Sequence, residues 1–123
     1  MSDWLLYLAA ALLVITSAVH SVLGERRLIA PLLSMREGVL ASKLVRFLLR
    51  FVWHLIGVCW VVLALILTQL VRDTAAIRWW AAASTGTAFT GAGLVDLVYS
   101  RGRHIGWPML MGIGIAALLS LAL

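Results

Sequence analysis

Charge is what this sequence has least of. Only 12% of its 123 residues are Asp, Glu, Lys or Arg, against 63% hydrophobic residues, and the mean hydropathy is +1.05. So few polar groups cannot cover a water-soluble globule, and composition places the chain among integral membrane proteins. Acids are scarcer still, five against ten Lys and Arg. In a soluble chain that imbalance would point to nucleic acid. In an apolar one the basic residues are read first against membrane topology, and no nucleic-acid partner is expected. Cysteine occurs once, at position 59, which excludes an intramolecular disulfide. Within an apolar run, Cys59 reads as a small packing residue.

Several motifs are missing as well. The sequence contains no HExxH, no phosphate-binding GxxxxGK, no GxSxG elbow and no set of histidine boxes. The familiar hydrolases, nucleotide enzymes and membrane desaturases are therefore disfavoured. The two halves show no convincing repeat, which argues against an inverted-repeat transporter. Met1-Ser2-Asp3 leads straight into apolar sequence without a basic segment, so the first run is expected to be a retained span and not a removed signal.

What is present is a succession of apolar runs. Residues 4–23 carry no charge and, at about 1.5 Å per residue, match the roughly 30 Å of a bilayer's hydrocarbon. Gly24 is expected to cap that helix before Glu25, Arg26 and Arg27. Residues 24–43 mix charged and apolar side chains and read as an interfacial loop, with Pro31 and Gly38 arguing against one continuous helix. Further spans are expected at 44–71, 76–98 and 106–123. The third is rich in small residues, with Ala83, Thr87 and Gly91 on one row and Ala82, Gly86 and Thr90 on the next. That face is expected to admit a close helix, either within a homo-oligomer or against a larger membrane complex.

Eight basic residues (Arg26, Arg27, Arg36, Lys43, Arg46, Arg50, Arg101, Arg103) fall in the first and third connections and their flanks, and two (Arg72, Arg78) in the second. The positive-inside rule then predicts an all-α, up-down-up-down four-helix bundle with both termini on the non-cytoplasmic side. In a bacterium this is a multi-pass protein of the inner membrane, with the lipid bilayer its first partner.

This topology sets His20, His54, Asp96 and His104 at one membrane level, each contributed by a different span, with Glu25 and Arg50 close by. Arg46, Arg50 and His54 recur every four residues and share a helix face. Ionisable groups in membrane spans are costly and tend to face one another or a polar cavity, so a cytoplasmic-end site is expected. His20, Glu25, His54, Asp96 and His104 could ligate zinc, iron, manganese or copper. Alternatively, His20 and His54 could hold a b-type haem, with Arg46 and Arg50 on its propionates. A third chemistry is a quinone head or lipid phosphate met by histidine and arginine, in a non-catalytic accessory subunit. A small transporter with His54 and Asp96 as a proton relay is a further class.

Overall fold

A computed structural model of the chain describes residues 3–122, and within them every regular element is helical. Four long helices follow in order: α1 (Asp3–Ser34), α2 (Lys43–Arg72), α3 (Ile77–Ser100) and α4 (Gly106–Leu119), with a single 3₁₀ turn at Gly38–Ala41 between the first two. α1 and α2 are long and apolar enough to cross a membrane. α3 has 24 residues, lightened by its alanines and glycines, and α4 has 14.

α1 departs from the sequence expectation. It does not stop at Gly24 but runs on through Glu25, Arg26, Arg27 and Pro31 to Ser34. The continuation is possible because Val19–Ile29 adopts a π-helical register, in which Ala30 donates its N–H to the carbonyl of Glu25, five residues back. A proline in an α-helix lacks a donor and its ring strikes the carbonyl four residues earlier. The wider turn that precedes Pro31 shifts the backbone off the α register in which the ring would strike, and Pro31 then sits in the first turn of the α-helical segment Ala30–Ser34, where a missing N–H costs least. The same register sets which residues turn inward. His20 and Ser21, then Gly24 and Glu25, then Ile29 and Ala30 are the shielded positions, at intervals of four and five where an α-helix would give three and four.

Helix packing follows the order of the chain. α1 lies on α2, α2 on α3 and α3 on α4, and no other pair of long helices makes extensive contact. Neighbours run antiparallel, with Gly24 against Trp53 and Ser17 against Gly57 in the first pair, Gly93 against Met111 and Gly86 against Leu118 in the last. The result is a row of four helices. It leaves 7955 Å² accessible, where a compact water-soluble monomer of this mass would expose about 6,500 Å². The buried apolar residues are few and mostly small: Ala10, Ile29, Leu33, Ala64 and Ala92. Large side chains such as Trp4, Leu12, Ile15, Val98 and Ile113 face outward.

Small residues supply the tightest approaches. A Cβ on Gly114 would collide with Thr90 and lie 2.8 Å from the carbonyl oxygen of Gly86, while one on Gly93 would lie 2.8 Å from the backbone nitrogen of Met111. The row Gly86–Thr90 is thus spent inside the chain, against α4. Gly112, by contrast, has nothing within 4 Å of where a Cβ would stand. Gly114→Ala is expected to cost about 1–3 kcal/mol, because backbone must move to admit the methyl group. Gly112→Ala should be neutral or stabilising by about 0.5–1 kcal/mol, the helix cost of glycine. Thermal midpoints of the two variants in one detergent check the contrast.

Candidate functional site: a polar cluster beside an apolar groove

The row divides the polar residues that the sequence sets at one level. His20, Glu25, Arg50 and His54 gather between α1 and α2, whereas Asp96 and His104 meet between α3 and the start of α4. Among the described residues no three His, Cys, Asp or Glu side chains come together as a metal-holding group. The geometry lends the metal set no support, because α1 and α4 stand at opposite edges of the row.

His20 is occupied structurally. Its ring stacks on Trp53 with centroids 4.0 Å apart and planes 13° apart, and meets Trp60 edge-on at 5.0 Å. Its Nε2–H donates to the Trp53 carbonyl at 2.9 Å, and the Trp53 indole N–H donates back to the His20 carbonyl at 3.1 Å. A carbonyl only accepts, so the proton on Nε2 is fixed by its partner. Trp53 lies so close that a Cβ on Gly24 would be 2.5 Å from its ring. Gly24 is thus required by an approach and not by a helix end. One turn along, Ser17 donates to the carbonyl of Gly57 at 2.9 Å.

Below this clamp, the Glu25 carboxylate meets Arg50 at 2.8 Å and His54 at 3.3 Å. The His54 contact is too poorly aligned for a hydrogen bond, and Glu25 Oε2 is buried with no hydrogen-bond partner among the described residues. Arg46 turns elsewhere. Its guanidinium donates to the carbonyls of Leu40 at 2.5 Å and Ala41 at 2.9 Å, tying the 3₁₀ turn to α2.

Arg50 and His54 have a second face. With Phe47, Phe51, Thr87 and Gly91 they line a cavity of about 490 Å³ between α2 and α3. It abuts a second cavity of about 430 Å³, which shares Val58, Thr87 and Ala88 and reaches Trp79 and Trp80. Together they form a groove from Phe47 to Leu65, about 27 Å along α2. Its walls are mostly apolar, with Arg50 and His54 at one end, the Thr87 hydroxyl midway, and the Ser84 hydroxyl and the Trp79 and Trp80 indoles toward the other. The row Ala83–Thr87–Gly91 forms part of its floor, and nothing stands within 4 Å of a Cβ position on Gly91. Sequence reading missed Phe47, Phe51, Thr87 and Gly91 as site residues, since aromatic and small residues in an apolar helix carry no chemical signature of their own.

The other pair is a dyad in which Asp96 Oδ1 is buried without a hydrogen-bond partner among the described residues. Asp96 is fully buried and receives His104 Nδ1 at 2.6 Å, while the His104 backbone N–H donates to the buried Ser100 hydroxyl at 3.4 Å. The pair fastens the α3–α4 turn, where Arg101 takes a left-handed conformation at φ 53° and Gly102 follows at 72°. No family model matches the chain, and neither a curated protein nor a solved structure matches it.

Removing His104 strands a buried carboxylate, so His104→Ala is expected to cost about 3 kcal/mol. Asp96→Asn should cost less, because the amide oxygen still accepts from the imidazole. Denaturant titration of the two variants and of the double variant gives the coupling between Asp96 and His104.

Proposed function

We propose that the chain is a multi-pass membrane protein that binds a quinone-type amphiphile in the groove between α2 and α3. The observation that carries this reading is a mostly apolar groove about 27 Å long whose ionisable groups, Arg50 and His54, stand at one end only. The apolar stretch takes an isoprenoid tail and the Arg50–His54 end meets the head. Charge decides which head. Arg50 is already paired with Glu25 at 2.8 Å, so the cluster offers N–H groups with little net charge. That suits an uncharged acceptor such as a quinone carbonyl better than an anion. Phe47 and Phe51, stacked with centroids 5.5 Å apart, supply aromatic faces for a planar ring beside those donors.

Membrane insertion is part of the proposal. It is supported by the exposed apolar side chains along all four helices and by the two helices of sufficient length and apolarity. On this reading the basic ends of α1, α2 and α3 face the cytoplasm, both termini lie outside, and the membrane is the inner one of a bacterium. Binding is non-catalytic, and electron or proton transfer would belong to a larger complex.

The test is titration of purified protein in detergent with a short-chain ubiquinone analogue, followed by tryptophan fluorescence. Saturable quenching is expected, with Arg50→Met and His54→Leu each weakening it at least tenfold and Gly91→Leu blocking it by filling the groove. Quenching that is non-saturable, or unchanged in all three folded variants, would overturn the reading. Metal quantitation and a visible spectrum on the same preparation test the metal or haem expectation directly.

A further inference from the structure

At the end of the α2–α3 seam formed by the start of α2 and the end of α3, past Phe47, lies a hollow of about 250 Å³, lined by Lys43, Leu44, Phe47, Tyr99, Arg101 and Arg103. Three cations border it and no carboxylate does. Glu25 pairs with Arg50 and His54, Asp96 with His104, and Asp73 caps the opposite turn through the N–H groups of Ala75 and Ala76, while Glu37, exposed in the connection before Lys43, lies outside the lining of the hollow. None of Lys43, Arg101 and Arg103 belongs to an ion pair among the described residues. Three like charges around one hollow that no carboxylate lines make a positive potential there that favours an anion.

Two local features bear on how these cations are presented. Arg103 Nε donates to the carbonyl of Ser100 at 3.3 Å, which orients its guanidinium without neutralising it. Arg101 occupies a left-handed backbone position at φ 53°, where glycine is the residue of least cost, so its side chain is retained against a conformational penalty. The floor between the cations is aromatic, Phe47 stacking on Tyr99 at 5.4 Å and 13°. Its outer wall is the start of α2.

We propose that this hollow binds the phosphate of an anionic phospholipid headgroup, one lipid bridging the start of α2 and the end of α3. It is a different site from the quinone groove and rests only on the membrane half of the preceding reading. The phosphate oxygens take charge-assisted hydrogen bonds from Lys43, Arg101 and Arg103, while Leu44 and Phe47 flank the glycerol and upper acyl carbons.

Native mass spectrometry of protein equilibrated with equal phosphatidylglycerol and phosphatidylcholine in detergent tests this. The wild-type chain should retain one phosphatidylglycerol in preference to phosphatidylcholine. Lys43→Gln/Arg101→Gln/Arg103→Gln should lose that preference by roughly a hundredfold, about fivefold per cation, whereas Arg72→Gln/Arg78→Gln at the opposite end should keep it. Arg101→Gly guards against misfolding as the cause, because it removes one charge while relieving the backbone. It should hold or raise the thermal midpoint and still lose selectivity severalfold. Equal retention of both lipids by the wild type, or undiminished preference in the triple variant, would overturn the proposal. So would displacement of the lipid by millimolar inorganic phosphate, which would make this a site for the free ion. Release of the protein from membranes by alkaline carbonate without detergent would instead sink the membrane reading itself.

Discussion

The approach of α1 to α2 at His20, Gly24 and Trp53 is the contact on which the arrangement of polar groups depends. Two hydrogen bonds run in opposite directions between His20 and Trp53 across stacked rings, and Gly24 leaves the space that the indole fills. In an apolar surrounding an indole N–H or an imidazole without a partner is costly, so the pair fixes both the rotation of α1 and its height on α2. Glu25 follows Gly24 directly, and its reach to Arg50 and His54 is a consequence of that fixed height. The π register makes the arrangement consistent, since only a four-and-five spacing turns His20, Gly24, Glu25 and Ile29 to the same side.

The two halves of the chain use different means to the same end. α1 and α2 are joined by polar contacts: the His20–Trp53 pair, the Ser17 hydroxyl on Gly57 and the Glu25 cluster. α3 and α4 are joined by backbone proximity at Gly86, Gly93 and Gly114, with the Asp96–His104 dyad closing the turn. Between the halves the described residues show no side-chain hydrogen bond or ion pair, only apolar packing and the Phe47–Tyr99 stack. The groove lies in that seam.

Much of the element structure was legible from hydropathy alone. The spans expected at 44–71 and 76–98 correspond to Lys43–Arg72 and Ile77–Ser100, and the fourth begins at Gly106 as expected. The region around Gly24 and Pro31 was not legible, because glycine and proline there carry the ordinary signature of a helix end. Their actual causes, an indole against Gly24 and a widened register ahead of Pro31, involve a neighbouring helix and a rare backbone state. The candidate site was half legible. Depth in a membrane can be estimated from position in a run, which groups His20, Glu25, Arg50 and His54; of these Glu25, Arg50 and His54 meet, while His20 is taken up by Trp53 and Trp60. Lateral order cannot be estimated that way, and it is lateral order that sends Asp96 and His104 into a separate pair. Arg46, grouped with Arg50 and His54 by its spacing of four, is drawn off by the carbonyls of Leu40 and Ala41, which a periodicity argument does not see.

The row has a mechanical meaning. α1–α2 and α3–α4 are two antiparallel hairpins, linked through the short turn at residues 73–76 and otherwise held by apolar packing and the Phe47–Tyr99 stack. Sliding or splaying one hairpin against the other breaks no hydrogen bond between side chains. A bulky hydrophobic guest arriving sideways would therefore part the molecule along the α2–α3 seam, the turn at 73–76 acting as a hinge, while the clasp at His20–Trp53 and the latch at Asp96–His104 stayed shut.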